Sequence, residues 1–278
     1  MASTKKWTGG ILLVLLAIVY LSPIYILLVN SFKNRAELYE NVVALPASFS
    51  FQYYAEAIEK MNFLVALRNS LFETAVSIIV LVILSSMAAW MLERTSNLLS
   101  NIIFGILVAT MLIPFQTIMM PLMQFMNDIS QATHIPMLNT LGGLIYMNVG
   151  FHASMAVFLY HGFIKSVPKS LEEAAIIDGC SKFGVFWRIV FPMLKPITVT
   201  VMILNAISIW NDYLLPSLTI SKESLRTIPL STFFFFGQFT IQWNLAMAGL
   251  VLTIIPVVIF YAFSQKYIIK GIGEGAVK

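Results

Sequence analysis

Six stretches of the chain are apolar enough and long enough to cross a bilayer, which takes roughly 20 mostly nonpolar residues in a helix. They fall at about 9–31, 70–92, 102–125, 139–163, 197–217 and 243–264. The first follows Lys5 and Lys6, as a secretory signal would, but its apolar run continues through Pro23 to Val29 and no small-residue cleavage site follows, so it reads as a true span. The fifth is the least apolar and holds Asn205, Ser208, Asn211 and Asp212. A span that polar faces other helices or a water-filled cavity. The pattern predicts an all-α integral membrane protein with six transmembrane helices, organised as one domain over residues 1–278.

Composition agrees with this reading. Of 278 residues, 59% are hydrophobic and only 11% charged, against about a quarter charged in an ordinary soluble domain. One cysteine, Cys180, excludes a disulfide framework or a cysteine-based metal cluster. The net charge of +4 comes from scattered Lys and Arg without a run that could track phosphates, so nucleic acid is not an expected partner and the lipid membrane is. The segment between spans four and five carries Lys165, Lys169, Lys182, Arg188 and Lys195, whereas 126–138 carries no Lys or Arg. Placing the basic segment inside puts 11 Lys and Arg on the cytoplasmic side and 6 on the other, with both termini cytoplasmic. A loop at about 32–69 is then extracellular, extended around Pro46 to Gln52 and followed by a short helix at 53–60. Glu93 and Arg94 read as a solvated flank of span two, and Gly271, Gly273 and Gly275 as a flexible tail.

The cytoplasmic loop, 164–196, is the most structured soluble piece. Ser170 followed by Glu173 predicts a capping box with a helix from Leu171, continued by Ala174, Ala175, Ile176 and Ile177. Gly179 suits the left-handed residue that closes a helix. A second helical stretch from Lys182 to Val190 is then ended by Pro192 and Pro196. These residues alone fit a plain interfacial loop as well as a knob that docks on a cytosolic partner.

The longer pattern distinguishes the two. Glu173-Ala174-Ala175, then Asp178-Gly179, then Ile189 and Pro192 resemble the EAA signature of ABC-importer permease subunits, with Phe191 where a Leu usually precedes the Pro. Asn30-Ser31-Phe32-Lys33, Asn69-Ser70-Leu71, Ile113-Pro114 and Trp210-Asn211-Asp212 are similar to sugar-importer permeases. The size resembles the smaller, MalG-like permease of the carbohydrate-uptake family, as in multiple-sugar and raffinose systems. The resemblance implies a type I importer permease (MetI-like) fold in a bacterial cell membrane, forming half of a sugar pathway. The cargo would be an oligosaccharide such as an alpha-galactoside or maltodextrin. Its implied partners are a larger MalF-like sister permease, two ATPase subunits carrying ATP and Mg, and an extracellular sugar-binding protein. Helix 171–178 would be the coupling helix, with Glu173 touching the ATPase and Gly179 making the bend.

The chain itself is expected to be non-catalytic and without a cofactor. It has no GxxxxGK[ST] phosphate loop, no HExxH and no G-x-S-x-G, and its three histidines, His134, His152 and His161, are not grouped with carboxylates in sequence. No metal site is expected; Met119, Met120 and Met123 suit adaptable packing. For a translocation path, Asn148, Phe151, His152 and Met155 share a face of span four, and Asn205, Ser208 and Asp212 a face of span five, with Asn211 beside them. Neutral polar groups interleaved with an aromatic ring suit a sugar, though polar residues in spans also bond neighbouring helices. An ion-coupled secondary sugar carrier is the alternative, and it would require a buried charged relay in the spans.

Overall fold

The computed structural model describes the backbone of residues 2–237 and 241–276, and their side chains apart from 2–9, 11 and 266–276. Lys5, Lys6, Lys266 and Lys270, counted above for orientation, therefore have side chains outside the described residues, and Lys278 lies outside them altogether. The chain is nearly all helix: α1 (Ala2–Asn30), α2 (Arg35–Glu40), α3 (Gln52–Lys60), α4 (Phe63–Thr95), α5 (Leu98–Thr110), α6 (Phe115–Thr133), α7 (Leu141–Ile164), α8 (Lys169–Ile177) and α9 (Lys182–Val185). A π-helical turn, Phe186–Val190, and α10 (Phe191–Met193) lead to α11 (Lys195–Trp210), α12 (Leu214–Thr219), α13 (Ile228–Phe233) and α14 (Trp243–Ala276). Among the described residues the β pairing is one isolated bridge, Phe236 to Ile241.

Among the described residues, four helical segments are long and apolar enough to span a membrane: Leu12–Asn30, Phe63–Thr95, Leu141–Ile164 and Trp243–Gln265. Two further pairs pass only when joined across a bend, α5 with α6 at 108° and Lys182–Met193 with α11 at 76°; counting each pair once gives six. The stretch 102–125 is thus not the single straight helix its hydrophobicity suggests. Pro114 lacks an N–H and restrains the residue before it, so α5 stops after 13 residues, about 20 Å, and Pro114 caps α6 instead. The helix expected to end near Val190 runs on to Met193, because the π turn absorbs the N–H that Pro192 lacks: Phe191 donates to Phe186. The chain bends only at Leu194, where Pro196 opens α11. The glycines expected to loosen the tail are helical through Ala276.

The chain packs as two compact units, residues 1–66 with 228–259 and residues 67–227 with 260–278. In the first, Ala57, Met61, Phe235, Leu245, Ala246 and Ala248 form the core. The helix at 53–60 is present as α3, and α2 is an addition to the expected loop. An N-cap at Asn34 organises this segment: the Glu37 N–H donates to Asn34 Oδ1 at 2.9 Å, and Asn34 Nδ2 donates to Glu37 Oε1 at 2.6 Å. Lys33 is buried, its ammonium donating to the Asn41 carbonyl at 2.7 Å.

The second unit has the larger core. Ile78, Leu81 and Trp90 of α4 meet Val157, Tyr160 and Ile164 of α7, and Val185, Phe186 and Leu194 from the segment before α11. Tyr160 donates to Thr198 Oγ1 at 3.1 Å, so its hydroxyl is satisfied within the core. The turn into α7 is tight: a Cβ on Gly143 would stand 1.8 Å from the Met137 carbonyl oxygen. Gly143→Ala therefore has to shift backbone and should cost about 1–3 kcal/mol, as overpacking does. A lowered half-aggregation temperature in detergent would show this. Gly162→Ala, where a Cβ meets nothing within 4 Å, should leave that temperature unchanged.

Candidate functional site

Two places in the second unit concentrate the residues singled out by sequence. The first is the projection around α8. Its helix starts at Lys169, two residues before the expected Leu171, because Pro168 (φ −63°, ψ 124°) serves as N-cap. Ser170 then lies inside the first turn, and no side chain caps this end, so the Ser170–Glu173 capping box does not form. The other end matches expectation closely. Gly179 takes φ +86°, its N–H donates to the Ile176 carbonyl at 3.0 Å, and the Cys180 N–H to the Ala175 carbonyl at 2.9 Å. This pair of bonds is a complete Schellman closure, and any L side chain at 179 would strain it.

The face of α8 is divided. Glu172 and Ala175, three residues apart, are buried. Glu173, Ala174 and Asp178 are exposed, with Ile176 at 52% and Ile177 at 86%. Two large apolar side chains held open on a short rigid helix form an uncovered patch. Ile189 packs partly against the core, while Pro192 is exposed. Sequence reasoning missed the residues beneath this helix. Arg94, read as part of a solvated flank, is an ion-pair partner of Glu172, and Glu93 Oε2 lies 3.1 Å from His161 Nε2. The ring of His161 also stacks on Phe104, with centroids 3.9 Å apart. The available signal was the i, i+4 placement of Trp90 and Arg94 on one helix face.

The second place is a cavity of about 240 Å³ between α6, α7 and the chain after α11. Phe115, Asn148, Phe151, His152, Asp212, Leu214 and Leu215 line it. Four of the predicted path residues thus converge. His152 bridges two helices: Nδ1 lies 2.8 Å from the Asn148 carbonyl and Nε2 3.0 Å from Ser208 Oγ. Asp212 Oδ1 accepts from the N–H groups of Leu214 at 2.9 Å and Leu215 at 3.4 Å, which folds the chain beyond α11. Phe115 and Phe151 meet edge to face at 5.2 Å and also line a larger, mainly apolar cavity of about 850 Å³ at the α5–α6 bend.

The remaining predicted residues stand elsewhere. Asn205 is buried, and its amide donates to the Val201 carbonyl of its own helix at 2.7 Å. Asn211 is exposed and bonds the Ile207 carbonyl in the same way. Met155 is 39% exposed and lines neither cavity. Glu73, fully within α4 and 2% exposed, is an unforeseen neighbour: Asn148 Nδ2 donates to its Oε1 at 2.8 Å. Glu73→Leu would leave that buried amide unpaired, at a cost of about 1–3 kcal/mol, whereas Glu73→Gln keeps an acceptor. Thermal aggregation in detergent should rank wild type and Glu73→Gln together, above Glu73→Leu.

Comparison with known proteins places these features. The family model for the binding-protein-dependent transport system inner membrane component matches residues 81–274. The probable starch degradation products transport system permease AmyC of Thermoanaerobacterium thermosulfurigenes is 45% identical over 274 residues, 99% of this chain and 97% of that one. The melibiose/raffinose/stachyose import permease MelC of Bacillus subtilis is 35% identical over 96% of this chain and 95% of its own. A crystal structure of a bacterial ABC transporter that imports the acidic polysaccharide alginate shares the fold, with a TM-score of 0.81 at 23% identity over 95% of this chain and 96% of that one. With the family match covering both the α8 projection and most of the cavity wall, the chain belongs to the binding-protein-dependent transport components of the membrane, as a multi-pass permease of a sugar ABC importer.

Proposed function

We propose that this permease forms half of the pathway for an oligosaccharide and that α8 is the helix through which ATPase subunits drive it. The observation that carries the reading is the divided face of α8. Ile176, Ile177 and Glu173 stand open on a helix whose opposite side is locked into the core and whose end is closed by Gly179. Such a knob suits a groove on a soluble partner, with the isoleucines as anchors and Glu173 as the polar rim. The lack of any phosphate loop in the sequence requires the ATP and Mg chemistry to reside on that partner. On this reading the α8 end and both termini lie in the cytoplasm, which the Lys and Arg distribution supports. A larger MalF-like sister permease supplies the other half of the pathway. An extracellular sugar-binding protein delivers the cargo; in support, a bacterial alginate ABC transporter of similar fold is solved in complex with its pentasaccharide-bound periplasmic protein.

Maltodextrins are the favoured cargo, because the 45% identical relative is described as a permease for starch degradation products; alpha-galactosides, the cargo of the 35% relative, come second. The 240 Å³ cavity fits a path for uncharged hydroxylated molecules. The second carboxylate oxygen of Asp212 offers a hydrogen-bond acceptor, His152 is fixed in the wall by its bonds to Asn148 and Ser208, and the Phe115–Phe151 pair offers ring faces.

Purification of the tagged chain in mild detergent should bring down a second, larger permease and an ATPase. Gly179→Asp should insert normally yet lose the ATPase, since it strains the closure that holds the docking face. A chain that purifies alone, even after cross-linking in cells, overturns the proposal. For the path, Asp212→Ala in an assembled importer should raise the half-saturating maltotriose concentration or abolish uptake. Asn205→Leu should leave that concentration unchanged.

A further inference from the structure

Arg94 and Glu172 form an ion pair of 2.7 Å between the end of α4 and the buried face of α8, with side chains only 14% and 9% exposed. Both carboxylate oxygens of Glu172 are satisfied by α4: Oε1 accepts from Arg94 Nε at 2.8 Å, and Oε2 from Trp90 Nε1 at 2.9 Å. The guanidinium spends further donor capacity on backbone at the end of α7, giving Nη2 to the Val167 carbonyl at 2.9 Å and the Ile164 carbonyl at 3.4 Å. One side chain therefore joins three elements. A planar guanidinium can do this and an ammonium cannot, because its donors point in fixed, separate directions. Below the pair, Ala175 enters the same core cluster as Trp90, Tyr160 and Phe186.

A buried pair of this kind is a poor source of net stability, since desolvation offsets much of the attraction. It is a good source of geometric constraint, because separating the partners leaves each charge buried and unpaired. Among the described residues, Glu172 receives both side-chain hydrogen bonds that α4 sends to α8. The face of α8 that carries Glu173, Ile176 and Ile177 makes no such bond. The helix is thus open to a partner on one side; on the other, Ala175 packs in the core and the side-chain hydrogen bonds from α4 converge on one carboxylate.

We propose that Arg94 and Glu172 are positioning residues that make α8 and the adjoining ends of α4 and α7 move as one body. A displacement imposed on α8 then reaches the spans instead of being absorbed in the loop. The proposal rests on the reading of α8 as the ATPase-docking helix. Neither residue meets the ATPase or the sugar; they act through the helix they hold.

The test uses the whole importer in lipid nanodiscs, with hydrogen exchange followed with and without a non-hydrolysable ATP analogue and Mg. In the wild type, nucleotide should alter exchange in residues 168–180 and also in 84–95 and 157–167. In Glu172→Gln and in Arg94→Met, with ATPase still copurifying, the change should persist in 168–180 and be lost from 84–95 and 157–167. The double variant should lose no more than either single one, as expected for two residues acting as a unit. A purely structural role would not remove the nucleotide response of the spans while sparing that of the loop. The proposal is overturned if the variants keep the response in the spans, if the wild type never shows it there, or if the variants shed the ATPase. Should the wild type itself bring down no ATPase, the docking reading fails first and this proposal falls with it.

Discussion

A polypeptide in hydrocarbon has no water to satisfy a broken helix, so every interruption of a span must pair its backbone within the protein. The two bends of this chain meet that demand differently. At the first, the N–H groups of Met111, Leu112 and Ile113 turn back to the carbonyls of Val108, Ala109 and Thr110 at 3.1–3.2 Å, and Pro114 has no N–H to satisfy. At the second, Leu194 is fully buried, and its N–H reaches the carbonyls of both Val190 and Phe191 at 3.1 Å. The larger cavity opens at the first bend. The second turns the chain from the α8 projection into α11. Both candidate regions thus adjoin a bend in the backbone.

The polar groups of the spans fall into distinct uses once their partners are known. Asn205 and Asn211 return their amides to their own helices, and Tyr160 and Thr198 close on each other in the core. His152, by contrast, bridges α7 to α11 through Ser208 at a cavity wall, next to Asp212. Asn148 belongs to both groups, lining the cavity while bonding buried Glu73. A transport path for neutral solutes needs this second kind of site, in which hydrogen-bonding groups are held in place and backed by rings. The ion-coupled carrier is set aside by the family assignment.

Periodicity and punctuation decided much of this protein in advance. Six apolar runs require a helical membrane protein, since the bilayer admits little else, and Gly179 had to close its helix because only glycine adopts φ +86° without strain. The EAA-type pattern identified the family because its residues lie within about twenty positions, where spacing along the chain and proximity in space nearly coincide. Local signals misled where two starts competed. Ser170-x-x-Glu173 looks like a capping box, but Pro168 begins the helix earlier, while the side-chain cap that does form, Asn34 on the Glu37 N–H, went unremarked. Which side chains meet across helices was beyond the sequence: Arg94 and Glu172 are 78 residues apart, Asn148 and Glu73 are 75, and His152 and Ser208 are 56. A charged residue at a helix end looks the same in sequence whether water or a buried partner receives it. Packing alone chooses between them, because helix rotation and bend angle set which face is covered, and those depend on every contact in the core at once.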